Sequence, residues 1–440
     1  MIRRPRRFPC CTEIPQLGFY AFDAQPDYQK TLEALSRRSA SMPEEIEAAA
    51  RAIIAEVRVG GDRAVRALTA KFEGRTLVDL ELPRARWGEL AAQTAPSVRS
   101  ALEHAARRIK AFHQKERYPS FEIVEGGIRV GQRVAPLHRV GLYVPGGTAL
   151  YPSTVLMTAV PARVAGVREI IMTTPGPSPE TLAAAEIAGV DRVFVVGGAQ
   201  AVAALAYGTE SIPRVDKIMG PGNAYVAAAK RLVFGDVGID SVAGPTEVVV
   251  AADDSVDPAW VAADLLAQAE HDVLAVPILI AVGVGVGARV AVELERQLAV
   301  LPRRAIAEKS LRDQGVIITV ADAGEAAAVM NLLAPEHGII AMREARAFGQ
   351  TISTAGALFL GPYTPESVGD YIAGPSHVLP TGGSARFASP LGVADFVKRT
   401  SIIEYDAAAL RAHAADIEEM AEVEGLHGHG RAVSIRTRTP

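Results

Sequence analysis

At 440 residues, 49% of them hydrophobic and 22% charged, the chain has material for two or three packed domains. A net charge of −4 with no strong asymmetry argues against nucleic acid as the main partner, and no apolar run reaches the length that spans a membrane. The cysteines are Cys10 and Cys11 alone, which excludes a disulfide scaffold, indicates a reducing cytoplasm and closes thiol chemistry to the rest of the chain.

The N-terminus, MIRRPRRFPCC, is basic and lacks the apolar segment of a secretory signal, so residues 1–30 read as an extension. From Pro43 to about His113 the pattern is helical. Ile46, Ala50, Ile53, Ile54 and Val57 recur at helical spacing, and Gly60-Gly61 is expected to end that element. Further helices are expected at 62–74, 84–95 and 97–116. His104 and His113 lie among Arg and Lys, which predicts surface positions.

From Val140 the texture changes. Apolar runs at Val140–Gly147, Glu169–Pro175, Arg192–Gly198 and Lys217–Asn223 alternate with helical stretches. A Gly-Pro turn and a run at Val248–Ala251 follow, and the rhythm resumes with strands expected at 276–283, 315–321, 338–342 and 356–361. Strands alternating with helices predict right-handed βαβ units and parallel sheets. The expected fold is therefore α/β, with two successive sheet-forming units and no residue-level repeat between them. From about 390 the pattern loosens into a helix over Asp406–Glu424, the stretch GLHGHG and a short apolar run, Ala432–Ile435. This tail suits packing on a neighbouring domain or subunit better than a domain of its own.

Ligands of parallel sheets bind beyond the carboxyl ends of the strands, so polar residues just after each apolar run are the first candidates. The first unit offers Pro145–Gly147, Gly197–Gln200 and Gly220–Asn223, each able to bring backbone amides to a helix start. None is the G-x-G-x-x-G fingerprint, and glycines needed only for turns remain an equal explanation. The second unit and tail offer Gln268 with His271, Glu336 with His337, Asp370 with His377, and Glu424 with His427 and His429. Gln268 and His271, three apart, share one face of a helix. Imidazole, carboxylate and amide oxygen together suit Zn²⁺ or a similar ion, although the spacings match no local metal motif. Glu336 and His337, after the helix-breaking Pro335, form a candidate acid–base pair; a capping loop would explain them equally well.

The segments GLYVPGG, VGGAQAVAALAYGTESIPRVDKIMGPGNAYV, SVAGPTEVVV, DLLAQAEHD, APEHGII, SVGDYIAGPSHVLPTGG and LGVADFVKRTS, in this order and spacing, resemble the histidinol dehydrogenase family over about residues 40–437. The resemblance implies two incomplete Rossmann-like parallel-sheet domains with N-terminal helices. It divides the chain into an extension at 1–30, a zinc- and substrate-binding domain at 31–142 plus 246–391, an NAD-binding domain at 143–245, and a tail at 392–440 that packs on the partner subunit.

It also implies cytoplasmic homodimers with shared active sites, one Zn²⁺ per subunit, and NAD-dependent oxidation of L-histidinol to L-histidine through L-histidinal, the last step of histidine biosynthesis. Carried over by motif, Gln268, His271, Asp370 and a partner-derived His429 become metal ligands and Glu336 and His337 the acid–base residues. Thr246, His377 and Glu424 join the substrate site with Gln268, His271, His337, Asp370 and His429, while Tyr143, Gln200 and Asn223 become cofactor positions. Thr246 stands where many members carry serine, and the hydroxyl is kept. His427 falls outside the family's pattern, and Glu270 points to another helix face without a role. The alternatives are a related zinc/NAD dehydrogenase acting on another hydroxyl compound, a zinc hydrolase with Glu336 as base, and a non-catalytic binding protein.

Overall fold

The computed structural model describes residues 18–21, 32–36, 42–146 and 150–438. Most of the basic extension, with Cys10 and Cys11, and Gly147 of the first Pro-Gly-Gly turn lie outside the described residues.

Fifteen strands form three sheets among the described residues. The first sheet contains β2 (Glu81–Leu82), β5 (Arg139–Tyr143), β6 (Glu169–Thr173), β7 (Arg192–Phe194), β8 (Lys217–Met219) and β9 (Gly238–Ile239). Its spatial order is β2-β7-β6-β5-β8-β9, parallel except for the edge strand β2. The second contains β1 (Gly18–Ala21), β10 (Glu247–Ala252), β11 (Val276–Val282), β12 (Val316–Val320), β13 (His337–Ala341) and β14 (Ala357–Leu360), in the all-parallel order β1-β12-β11-β10-β13-β14. Omitting the edge strands β2 and β1, each sheet runs third, second, first, fourth, fifth strand. This is the doubly wound order, with a topological switch between first and fourth strands. The near-continuous apolar runs follow from helices covering both faces: every residue of β10 is buried.

The third sheet, antiparallel, joins β3 (Phe121–Glu125) and β4 (Ile128–Pro136) to β15 (Val397–Tyr405). Sequence periodicity gives no sign of it, because β3 is exposed along its whole length and has no buried face to pattern. The helix Arg304–Gln314 also escapes periodicity, its mean character being polar.

The helices of 44–113 cover the first sheet. Ile53, Val57, Val65 and Leu68 pack with Ile171 and Phe194, while Trp87, Leu102 and Ile109 pack with Val140 and Leu142. Gly60-Gly61 ends the first helix as expected: two helices within Glu44–Glu73 meet at a kink at Gly61, whose non-helical φ of 52° and ψ of −138° suit glycine. His104 is exposed as expected, but His113 is fully buried. Its Nδ1 lies 2.7 Å from Glu116 Oε2, and the same carboxylate accepts from Val393 N at 3.0 Å, tying the helix to the chain beyond 390.

The loop Gly220–Asn223 after β8 is held by a buried ion pair. Lys230, 2% exposed, pairs with Asp240 and donates to Gly220 O at 2.8 Å. Asp240 in turn accepts from Gly220 N at 2.6 Å and Ser241 N at 2.7 Å. Removing Lys230 strands a buried carboxylate. Lys230→Ala is therefore expected to lower stability by about 3–5 kcal/mol, read from urea unfolding. A loss below about 1 kcal/mol would show that the pair does not brace the loop.

Candidate active site and metal centre

The second sheet contributes its chemistry at the amino edge, contrary to the expectation from carboxyl ends. Thr246 immediately precedes β10, and Glu336 immediately precedes β13. Parallel pairing sets Val248 beside His337, so Glu247 falls beside Glu336. Glu247 N donates to Glu336 Oε2 at 3.0 Å, and Glu336 N donates to Glu247 Oε1 at 3.2 Å. The first sheet follows the usual rule: Tyr143 ends β5, Gln200 follows β7 and Asn223 follows β8.

His337 is 3% exposed, and its Nδ1 lies 3.1 Å from Glu247 O. A carbonyl can only accept, so Nδ1 carries the proton and Nε2 the lone pair. That Nε2 is buried with no hydrogen-bond partner, 3.9 Å from Asp370 Oδ1. This is the disposition of a base awaiting a proton donor. Glu336 lies 3.7 Å from Nδ1, and burial raises its pKa well above the ordinary carboxylate range despite stabilising bonds from Thr246 and Glu247.

Beside this pair two helix ends converge. Gln268 lies in the last turn of Pro258–Ala269, and His271 lies just past it. Glu366 and Asp370, four apart, share a face of the short helix Glu366–Tyr371. His271, Glu366 and Asp370 place their ligand atoms within 4.8 Å of one another. Burial lowers the pKa of His271, with Asp370 opposing, which favours the neutral imidazole that binds metals. Gln268 is fully buried. With its nitrogen toward Glu366, its amide donates to the two carboxylate oxygens at 3.0 and 3.1 Å and accepts from Thr246 Oγ1 at 2.9 Å; the reverse orientation sets oxygen against oxygen. Thr246 Oγ1 also lies 2.8 Å from Glu336 Oε2. One hydroxyl proton serves one acceptor, so Thr246 can donate to Gln268 only while Glu336 is protonated. The neutral imidazole of His271 and the carboxylates of Glu366 and Asp370 within one cluster fit a divalent ion of the zinc type.

His377 is placed differently. Its Nδ1 donates to Asp370 O at 3.1 Å, and its Nε2 lies 3.1 Å from the Thr154 hydroxyl, so both ring nitrogens are occupied. Burial keeps its pKa low despite Asp370. Glu424 and His429 are exposed on the tail, whose helices Ala407–Val423 and His427–Thr437 pack chiefly on each other. One chain does not bring them to the cluster. Glu270, expected to point elsewhere, lines with His271, Arg303, Tyr151 and Tyr371 a cavity of ≈ 370 Å³.

The cofactor candidates lie together at the first sheet's switch point. Tyr143 packs against Gly222, and its hydroxyl accepts from Gly198 N at 3.0 Å. Burial pushes the phenol up to about 12, so it stays protonated. Gln200 is buried and donates to Glu73 Oε1 at 3.3 Å, an oxygen that also accepts from Gly197 N. Asn223 caps the following helix through Tyr225 N and Val226 N. Sequence reading passed over Glu73, Thr154, Glu247 and Glu366. For Glu366 the one available signal is its four-residue spacing from Asp370.

Two doubly wound sheets, the second with a buried imidazole and carboxyl pair at its amino edge, define an α/β protein with acid–base groups in place. The sequence profile of the histidinol dehydrogenase family matches residues 36–437. The histidinol dehydrogenase of Aquifex aeolicus is 52% identical over 407 residues, 92% of this chain and 96% of that protein. The histidinol dehydrogenase of Lactiplantibacillus plantarum is 51% identical, covering 90% and 93%. The crystal structure of histidinol dehydrogenase from Elizabethkingia anophelis superposes with a TM-score of 0.90 at 33% identity, covering 96% of this chain and 98% of that one. The chain belongs to the histidinol dehydrogenase family. It is an oxidoreductase of the last step of histidine biosynthesis.

Beneath the pocket, Asp264 lies one turn before Gln268, and burial pushes its carboxyl up to about 7 from 3.8. The folded state therefore holds a proton that the unfolded state releases, and stability falls as pH rises from about 4 to about 7. Asp264→Asn has no charge to bury. Relative to the parent it should gain stability at about pH 8 compared with about pH 5, measured by urea unfolding. An equal difference at both pH values would contradict the assignment.

Proposed function

We propose that the protein oxidises L-histidinol to L-histidine through L-histidinal in two NAD⁺-dependent steps. The observation that carries this reading is His337: one nitrogen is committed to a carbonyl, and the other is buried, basic and unpartnered. In the first oxidation His337 Nε2 takes the hydroxyl proton of the amino alcohol. With no thiol beyond Cys11, a thiohemiacetal is closed to the second step, and histidinal reacts as its hydrate. Glu336, in its ionised form, takes a proton from the water that adds while His337 returns to the aldehyde oxygen the proton it took in the first step; His337, neutral again, then serves as base for the hydrate.

The donors Gln268, His271 and Asp370 of one chain and His429 of a second would hold one Zn²⁺ per subunit. Bound there, zinc would supply a cationic anchor for the substrate's amine and imidazole nitrogens, and NAD⁺ would supply the hydride acceptor. Thr246 and Asp370 border the substrate beside this base. His377 contacts it once Thr154 yields Nε2. Tyr143, Gln200 and Asn223 shape the nicotinamide-cofactor end, where the Gly220–Asn223 loop opens a helix start to phosphate.

The exposed tail supports the reading of a homodimer. Glu424 and His429 are exposed in their own chain, and Met420 and Val423 beside them are 66% and 80% exposed. The cavity next to His271 is where a second subunit's tail would reach. Among the described residues no helix is long and apolar enough to cross a membrane; we place the enzyme in the cytoplasm.

Wild-type protein should yield two NADH per L-histidine formed, and a chelator should abolish turnover. His337→Asn should lower kcat by about 10²–10⁴-fold while leaving NAD⁺ affinity unchanged, measured by stopped-flow and fluorescence titration. Unchanged turnover would remove His337 from the base role. Histidinol turnover without NAD⁺ would refute the reaction.

A further inference from the structure

Glu73 is the last residue of Glu44–Glu73, the end at which a helix dipole disfavours a carboxylate. Its own helix gives no reason for it, but the groups it faces do. Its Oε1 accepts from Gly197 N and from Gln200 Nε2, each at 3.3 Å, where the helix Gly198–Tyr207 begins. Its Oε2 accepts from Arg75 Nε at 3.0 Å, and Arg75 is itself anchored on Val195 O at 3.0 Å. A backbone N–H and a guanidinium can only donate. Both carboxyl oxygens are thus used as acceptors, and the end of the Gln200 amide turned toward Glu73 is its nitrogen.

The other end of that amide is uncommitted. Gln200 is 2% exposed, and among the described residues its Oε1 receives no hydrogen bond. That oxygen lies against Gly198, where a side-chain carbon would stand only 2.5 Å from it. The same glycine donates its N–H to the Tyr143 hydroxyl at 3.0 Å.

We propose that Glu73 is a positioning residue of the cofactor crevice. By holding the nitrogen of the Gln200 amide, it leaves the carbonyl oxygen as the group offered to the dinucleotide. The cofactor then meets Gln200 with an O–H or N–H donor, such as a ribose hydroxyl or an amide, and not with a phosphate. This rests on the reading of Gln200 as a cofactor position. Glu73 acts through Gln200 without being a ligand of the cofactor itself. Arg75 serves the arrangement by closing the second carboxyl oxygen to any other partner.

The test is the NAD⁺ dissociation constant of the Zn²⁺-loaded full chain, from fluorescence titration without turnover, with the urea midpoint measured alongside. In Glu73→Gln, Arg75 keeps the oxygen of the new amide, whose nitrogen then faces Gln200. The Gln200 amide turns over and presents N–H₂ at Gly198, and NAD⁺ should bind about 5–10-fold more weakly. Gln200→Glu sets two carboxylates against each other and should also weaken binding. The double variant Glu73→Gln/Gln200→Glu restores an N–H···O contact and again presents an oxygen at Gly198. It should bind NAD⁺ more tightly than either single variant, a non-additive recovery. In steady state the KM for NAD⁺ should follow these changes while the KM for L-histidinol does not.

Wild-type NAD⁺ affinity in Glu73→Gln would overturn the proposal, even with a lowered urea midpoint, which is the result of a purely structural cap. So would a double variant that shows the sum of both losses. If Glu73→Gln alone does not fold, the comparison of Gln200→Glu with the double variant still decides. Gln200→Leu separates the two levels: if it retains wild-type NAD⁺ affinity, Gln200 is no cofactor position, whatever Glu73 does.

Discussion

The site depends on one stretch of parallel pairing, the register between β10 and β13. With Val248 set beside His337, Glu247 and Glu336 exchange backbone-to-carboxylate hydrogen bonds, and the Glu247 carbonyl receives the His337 Nδ1 proton. A slip of one residue would turn these side chains to the opposite face of the sheet. The register is held by the fully apolar strands inside it, since Val248, Val250 and Ile339 are buried against the covering helices. Core packing thus fixes the tautomer of a histidine at the strand edge. The polar end is positioned by an apolar ladder, and it needs no separate scaffold.

That arrangement also explains why the second sheet works at its amino edge. The first sheet offers the usual crevice at its switch point, between β5 and β8, where Tyr143 bridges to Gly198 and packs on Gly222. The connection from the end of β9 to the start of β10 runs over Asp240–Thr246 and enters β10 at its amino end. Gly244 N is anchored on Thr381 Oγ1, which further fixes that entry. A short linker therefore delivers the beginning of the second sheet, rather than its end, toward the crevice of the first.

Sequence gave access to residue types more than to directions. The i,i+3 pair of Gln268 and His271 and the neighbours Glu336-His337 stand out because unusual polar residues interrupt apolar patterns, and those positions converge in the structure. Their environments were not legible. His113 sits among Arg and Lys in sequence yet is fully buried, since its partners Glu116 and Val393 are supplied by the next turn and by a segment beyond 390. Glu366 carries no local signal of burial, because its neighbours Gln268 and His337 come from other elements. The break at Gly61 was legible, because a glycine pair marks a place where the backbone can leave helical φ and ψ. The strand Phe121–Glu125 has no buried face, so it leaves no period to find.

The electrostatics of the pocket point beyond the single chain. Glu336, Glu366 and Asp264 all have carboxyl pKa values raised by burial, and Asp370 adds a further carboxylate to the same few ångströms. Glu366 is pushed up to about 8. Acidic groups gathered without a cation must hold protons to coexist, and proton-filled carboxyls are poor bases and poor ligands. A divalent ion reverses that logic, because its charge favours the ionised forms that both catalysis and ligation need. Among the described residues Lys230 is the one buried lysine or arginine, and it is committed to Asp240, while Arg303 borders the adjoining cavity. The pocket is thus built in a form whose acid–base behaviour is set by what fills it. On the function proposed above, a metal ion and the tail of a second subunit, carrying the exposed Glu424 and His429, would both complete it.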